Sequence, residues 1–408
     1  MGALTPAGNT VGETWEALKA GRSGVGPLTV FDASPWPCRI AGEVKGFDPH
    51  QHLTRETVRM TSTATQMALV TAGQALRDSG LDLDHEDRDR VGIVIGTAGG
   101  STVEETEAGA RSLIGQEGRR FSPLRVVRLW PNMPAYFIAQ AYHLRGFNST
   151  VCTACASGTQ AIGEAAEVIR RGTAEVVLSG GTDSMASPMI LAGFCAMRAL
   201  ATSYNDRPEL AMRPFDAQRE GFVAAQGSAC FVLESLAHAR GRGARIHAEI
   251  LGYGVSNDGS HMIEPDPQGS GAALAMRRAL DSAGIGVDRV DYINAHGTST
   301  PLGDAAETLA IKSVFGERAD RVPISSTKSM LGHSMGAAGA IEAVACVMSI
   351  QEGVIHPTIN YETPDPACDL DYVPTAARRA EVRVAMSNSF GLGGQNAVLV
   401  LGACEADG

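Results

Sequence analysis

The chain has 408 residues, of which 44% are hydrophobic and 19% charged, and a formal net charge of -11. That length and balance provide a large core and exclude a disordered or low-complexity chain, and the negative charge argues against general nucleic-acid binding while leaving room for a local basic patch. There is no apolar run of about 18 residues and no basic-then-apolar leader, and the eight cysteines and ten histidines lack metal-ligand spacing, so a soluble cytoplasmic protein with reduced thiols and no metal is expected.

In chain order, a helical pattern over Thr63 to Asp78 leads to a strand at Val91 to Ile95 and a tight turn at Thr97-Ala98-Gly99-Gly100. Ala161, Ile162, Ala165, Ala166, Val168 and Ile169 then recur at helical spacing, with Arg170 and Arg171 in the last turn and Gly172 as a stop. Further strands are predicted at Val176 to Leu178, Cys230 to Leu233, Ala248 to Leu251, Val290 to Asn294, Val322 to Ser325 and Ala397 to Leu401. Helices are predicted at Ala272 to Ala283, Ala305 to Phe315 and Ala337 to Gln351. This rhythm points to an α/β protein whose sheets are covered by helices. The apolar pattern breaks over Ala237 to Arg245, which divides the chain into residues 1–245 and 246–408. Val151 to Gly163 and Ile324 to Ala343 share a strand, a loop and a small-residue helix, a similarity that packing alone also explains.

Cys155 stands where a strand hands over to a helix, in Thr150-Val151-Cys152-Thr153-Ala154-Cys155-Ala156-Ser157-Gly158. Unpaired amides and the dipole at a helix N-terminus favour a thiolate, the reactive form. The same cysteine also reads as a buried structural residue, or with Cys152 as a CxxC redox pair. Three more segments share its context. Asn294-Ala295-His296-Gly297-Thr298-Ser299-Thr300 ends a strand on a histidine and passes into a helix through Asp304. Ser325 to Gly336 carries Lys328 five residues before His333, and Ser387-Asn388-Ser389-Phe390-Gly391-Leu392-Gly393-Gly394-Gln395-Asn396 reads as a glycine loop before a last strand. Ligands gather beyond the carboxyl ends of strands in open α/β sheets, so these loops are expected to converge.

Together with Arg213-Pro214-Phe215-Asp216, Gly221-Phe222-Val223, Pro357-Thr358-Ile359-Asn360 and Cys368-Asp369-Leu370-Asp371, these segments resemble the elongating β-ketoacyl-acyl carrier protein synthases of type II fatty acid synthesis, over nearly the whole chain. The resemblance implies the thiolase fold, two related halves in alternating α-β-α-β-α layers, with the cysteine in the first half and both histidines in the second. It also implies a homodimer that works with acyl carrier protein and needs no cofactor beyond the carrier's phosphopantetheine arm.

By the same resemblance Cys155 takes an acyl group from one carrier, malonyl on a second carrier loses CO2, and the resulting enolate attacks the acyl-cysteine. His296 and His333 are expected to hydrogen-bond the malonyl thioester oxygen, Lys328 and Glu342 to pair beside them, and the N–H groups of Cys155 and Leu392 to form an oxyanion hole, with Phe390 in the same gating loop. Asp304, Thr298 and Thr300 match supporting or pantetheine-contacting positions. Ala98 and Phe194 match the acyl pocket, and Arg55, Arg59, Arg119 and Arg120 the carrier-docking patch. Leu392 stands where many members have a gating phenylalanine, Ala98 where a larger aliphatic residue is common, Ile263 for a threonine and Gln226 for an acidic residue. The opening Met1-Gly2-Ala3-Leu4 falls inside a motif normally preceded by an apolar strand, so one sheet is expected to be a strand short.

Alternatives within this reading are a ketosynthase of a type II polyketide or specialised lipid pathway and a thiolase acting on coenzyme A esters. A further alternative is a non-enzymatic partner subunit that sets chain length, which would lack the nucleophilic cysteine.

Overall fold

A computed structural model of the chain describes residues 1–100, 102–115, 122–184 and 187–404. After β1 (Gly2–Leu4) and a helix over Val11–Lys19, the main elements of the first half are α1 (Arg55–Met60), α2 (Thr63–Ser79), β2 (Val91–Gly96), α3 (Thr102–Gly115), α4 (Pro123–Arg128), α5 (Met133–Tyr142), β3 (Asn148–Val151), α6 (Ser157–Arg170), β4 (Val176–Ser184), α7 (Pro188–Ala196) and β5 (Gln226–Glu234). The second runs β6 (Glu249–Asn257), α8 (Ser270–Ala283), β7 (Tyr292–Asn294), α9 (Pro301–Phe315), β8 (Ile324–Ser325), α10 (Lys328–Leu331), α11 (Ala338–Glu352), β9 (Val384–Gly391) and β10 (Gln395–Gly402). Local chemistry sets the ends. The Ser62 hydroxyl accepts the Thr65 N–H at the start of α2, and Gly80 ends it at φ 61°, a left-handed cap that glycine adopts without steric penalty.

The sheets have the orders β3-β2-β4-β5-β1 and β8-β7-β9-β10-β6. In each, the first three strands are parallel and the last two pair antiparallel. Taken by position along each half, both orders are the same: third, second, fourth, fifth, first. The similarity of Val151–Gly163 and Ile324–Ala343 is therefore a structural repeat: each segment follows the third strand of its half.

Between the sheets lie α6 and α11, touching each other and both sheets, while α2 and α5 cover the outer face of the first sheet and α8 that of the second, with α9 packed on α8. This is the layered thiolase fold expected from the resemblance. The central layer is apolar on both sides, with Ile162, Ala340, Ile341 and Val344 packed between Phe231 of one sheet and Tyr292 and Leu399 of the other. Small residues let its helices approach. A Cβ on Gly158 would lie 2.7 Å from the Gly336 carbonyl oxygen, and one on Gly339 would lie 1.9 Å from Thr159 Oγ1.

Two expectations change. Ser387 to Phe390 are not loop but part of β9, paired through the β9–β10 hairpin, and only Leu392 to Gly394 turn. Polar residues there look like a loop by composition, yet Ser387, Asn388 and Ser389 are wholly buried against neighbouring elements. The first sheet also has its edge strand, because Gly2–Leu4 pairs with Cys230–Ser228. Among the described residues no helix is long and apolar enough to cross a membrane.

Gly158→Ala should lower stability by about 1–3 kcal/mol through overpacking. Gly193→Ala in α7, where an added Cβ meets nothing within 4 Å, should raise it by up to about 1 kcal/mol. Urea denaturation of both variants checks the contrast, and equal effects would contradict the close-approach argument.

Candidate active site

Past the end of β3 the chain makes a single 3-10 turn, Ala154–Ala156, and enters α6 directly. Ala154 has φ 49°, a left-handed conformation that costs a non-glycine residue about 1–2 kcal/mol. The Ser157 hydroxyl holds the turn, accepting from Thr153 N–H at 2.9 Å and lying 2.7 Å from the Ala154 carbonyl. Cys155 is only 5% exposed. Burial opposes the pull of the helix end toward a thiolate. Burial pushes the thiol up to about 11, against the Leu392 N–H, the Lys328 charge and the cysteine's own N–H, which pull it down. In this site desolvation outweighs the helix end. The thiol stays protonated, with Sγ 3.0 Å from His333 Nε2 and 3.8 Å from Met335 Sδ.

His333 follows α10 and Gly332, whose φ of 75° makes the bend. Its backbone is tied into the first half, donating to the Val223 carbonyl at 2.8 Å and accepting from Ala225 at 3.0 Å. Phe222 stands edge-on to its ring at 5.4 Å. His296, two residues past β7, is held by a buried carboxylate: Glu307 accepts its N–H at 2.8 Å, the Gly297 N–H at 2.7 Å and Asn388 Nδ2 at 3.1 Å. The two imidazoles are 5.5 Å apart and nearly perpendicular, and Phe390 lies 5.6 Å from His296.

Lys328, 2% exposed, pairs with Glu342 and reaches His296 Nδ1 at 3.4 Å. Burial, then the Lys328 charge, lower both histidines well below their ordinary value, and the His333 charge would add to this at His296. Both rings are neutral. Because Lys328 donates to Nδ1 of His296, that ring carries its proton on Nε2. Burial also raises Glu342 to about 7 against the opposing pull of Lys328.

A cavity of about 390 Å³ opens onto Cys155, His296 and His333, with Phe390, Leu392, Phe194, Thr298 and Thr300 also in its wall. The two threonine hydroxyls bond each other at 2.9 Å. Ile263 lines this cavity, whereas Gln226 is buried elsewhere, bonding Ser184 and the Val44 N–H. Ala98 does not line it but packs in the same apolar cluster as Phe194 and Cys155. Asp304 is fully buried and outside the cavity wall. It accepts the Phe215 and Ser299 N–H groups at 2.7 and 3.1 Å beside Arg219, so it braces the His296 loop instead of touching a ligand. Arg55 and Arg59 are exposed on α1, and Arg119 and Arg120 lie outside the described residues. No disulfide is formed among the described residues; Cys152 is exposed and Cys155 buried.

Three residues escaped the sequence reading. Glu307 is one turn beyond Asp304 on α9, a second acidic residue on a buried face. Asp183 ends a wholly buried strand and accepts from Thr97 Oγ1, Ala98, Gly100 and Gly336 at 2.7–2.9 Å. Arg198 is exposed in the cavity wall at φ 55°. An acidic residue at the end of an apolar, glycine-rich run was the only signal for Asp183; Arg198 had none. Asn294 Oδ1, Glu342 Oε2 and Asn388 Oδ1 are buried without hydrogen-bond partners among the described residues.

Residues 1–239 match the β-ketoacyl synthase N-terminal domain and residues 247–362 its C-terminal domain. The chain is 46% identical over 401 residues to a 3-oxoacyl-[acyl-carrier-protein] synthase 2 of Coxiella burnetii, covering 98% of this chain and 96% of that one. It is 45% identical over 406 residues to the protein of the same name from Staphylococcus aureus strain COL, covering 100% and 97%. Among solved structures, a type II polyketide ketosynthase in complex with its acyl-carrier protein superposes with a TM-score of 0.91 at 34% identity, covering 99% and 98%. A β-ketoacyl synthase from Burkholderia phymatum gives 0.91 at 36%, with the same coverage. A condensing-enzyme site, a repeated two-sheet fold and matches along almost the full length agree: the chain belongs to the β-ketoacyl synthase family.

Proposed function

We propose that this protein condenses an acyl group held on Cys155 with malonyl-acyl carrier protein, releasing CO2 and β-ketoacyl-acyl carrier protein, as in fatty acid chain elongation. The observation that carries this reading is one cysteine and two histidines facing a common cavity, with His333 Nε2 3.0 Å from Sγ. In the first step Sγ attacks the thioester carbonyl carbon of the incoming acyl carrier, and its proton leaves with the carrier thiol. The N–H groups of Cys155 and Leu392, which already point at Sγ, hold the oxyanion. In the second step malonyl loses CO2, and the enolate oxygen accepts hydrogen bonds from His296 and His333. Neutral imidazoles can donate through a ring N–H, so Lys328 and Glu342 serve this step by keeping them uncharged.

The division into a cysteine-bearing half, residues 1–245, and a histidine-bearing half, 246–408, is part of the proposal. It is supported by the first sheet drawing its strands from Gly2 to Glu234 and the second from Glu249 to Gly402. A homodimer is supported by the apolar surface of α3 to α5, where Ile114 is 84% and Trp130 55% exposed, since large exposed apolar faces mark interaction sites. The enzyme works in the cytoplasm without a cofactor of its own. An acidic carrier would dock through Arg55 and Arg59, with Arg198 near the cavity mouth meeting the phosphate of its arm. The polyketide reading is not adopted: relatives named 3-oxoacyl-[acyl-carrier-protein] synthase 2 share 45–46% of residues, the polyketide ketosynthase 34%. The presence of Cys155 counts against a non-enzymatic partner subunit.

Intact-mass spectrometry after exposure to a panel of acyl carriers should show a single acyl adduct that Cys155→Ala abolishes and Cys152→Ala leaves in place. Loss in both variants would favour the dithiol chemistry instead. His296→Ala and His333→Ala should each slow malonyl decarboxylation by about 10²–10³, or roughly 2.7–4 kcal/mol, with a smaller effect on acyl transfer. Equal loss in both steps would contradict this division. Carrier affinity should fall as salt rises, and less steeply in an Arg55→Ala/Arg59→Ala variant; unchanged salt dependence would remove these arginines from docking.

A further inference from the structure

The N-terminal end of each central helix is gripped by the fourth strand of the opposite half. From β9 the Ser389 hydroxyl meets Thr159 Oγ1 on α6 at 2.7 Å. From β4 the Asp183 carboxylate accepts the Gly336 N–H at 2.7 Å, in the turn Met335–Ala337 that leads into α11. The first grip is a pair of neutral hydroxyls. The second is a fully buried carboxyl group, pushed up to about 7 by burial against the pull of the amide and hydroxyl donors it accepts.

Its two oxygens divide the work. Oδ1 accepts Thr97 Oγ1 at 2.8 Å and the Gly100 N–H at 2.9 Å, which shapes the loop after β2. Oδ2 accepts the Ala98 N–H at 2.8 Å together with the Gly336 N–H, so one atom joins a loop of the first half to a loop of the second. Ala98 belongs to the apolar cluster around Cys155 and Phe194. Gly336 follows Met335, whose Sδ is 3.8 Å from Cys155 Sγ, and lies three residues after His333. The joint has no slack, since a Cβ on Gly336 would sit 2.3 Å from Ala98 N and 2.5 Å from Asp183 Oδ2.

We propose that Asp183 is a positioning residue for both substrate choice and condensation: it fixes Ala98, which packs in the apolar cluster of Cys155 and the cavity-wall residue Phe194, in register with the His333 loop, so the acyl length accepted and the placement of His333 are set together. This rests on the condensation reading above. Asn at this position keeps the shape but turns one of the two acceptors into an NH2 group facing two N–H or O–H donors, and buried donors left unpaired are costly. Thr97→Val is the milder change, removing one donor and leaving the carboxylate.

The test loads purified Asp183→Asn and Thr97→Val proteins with a series of acyl carriers of graded length, reading the adduct on Cys155 by intact mass, and measures malonyl decarboxylation separately. Asp183→Asn is expected to shift the length profile and to slow decarboxylation by at least about tenfold, with the KM for the carrier unchanged. Thr97→Val is expected to move both in the same direction by less. Ala98→Val, which adds bulk to the cluster behind Phe194 and Cys155, should combine non-additively with Asp183→Asn, as coupled neighbours do. An unshifted length profile in a folded Asp183→Asn or Thr97→Val protein overturns the proposal, as does additive behaviour with Ala98→Val. If the wild-type protein decarboxylates no malonyl carrier, the condensation reading fails; if it does so and the variants keep its profile, only the role of Asp183 fails.

Discussion

The site depends on one buried positive charge. Lys328 is enclosed with Glu342, and its ammonium group lies 3.4 Å from His296 Nδ1. Protonating that ring would set two positive charges at this distance, a repulsion of about 5 kcal/mol at an effective dielectric of 20, added to the cost of burying a second charge. His296 therefore stays neutral across the physiological range. The donor lysine also fixes its tautomer, leaving the Nε2 proton for the other side of the ring. Glu342 makes the buried lysine tolerable, because an unpaired ammonium group in this core would lose its proton or open the fold.

Geometry reaches the same place through the repeat. Cys155 and His333 occupy the equivalent loop of the two halves, after the third strand, and each loop leads into a central helix. His296 follows the second strand of its half, as the Thr97–Gly100 loop follows the second strand of the other. Stacking the halves with their central helices in contact brings these four loops to one point. The contact needs glycine where the helices start, at Gly158, Gly336 and Gly339, since any larger residue meets backbone or a hydroxyl. Small residues in the central layer and reactive residues in the loops are thus two parts of one requirement: the site exists only at the closest approach of the halves.

Much of this was legible in the sequence. Helix ends were readable because glycine marks them, as at Gly80, Gly284 and Gly353, all at positive φ. Cys155, His296, Lys328 and His333 stood out because each sits in a short polar break after an apolar run. What could not be read depends on long-range partners. Ser387 to Phe390 look like a loop until β7 and β10 flank them. Asp183 and Glu307 look like surface carboxylates until the backbone N–H groups they accept come from loops 83–153 and 10–11 residues away. The state of the thiol depends on such partners too. A helix N-terminus is visible in sequence, but the burial that outweighs it comes from Phe222, Met335 and other residues far along the chain.

That burial alters how the proposed reaction has to begin. Burial pushes the Cys155 thiol up to about 11, so its proton is lost as Sγ attacks, with His333 Nε2 3.0 Å away. The second step needs a proton on the ring nitrogen that faces the enolate oxygen, so the thiol proton leaves with the carrier thiol and His333 enters that step as a neutral donor. Acylation then removes the acidic proton from Cys155 altogether and leaves a neutral thioester sulfur beside a neutral ring.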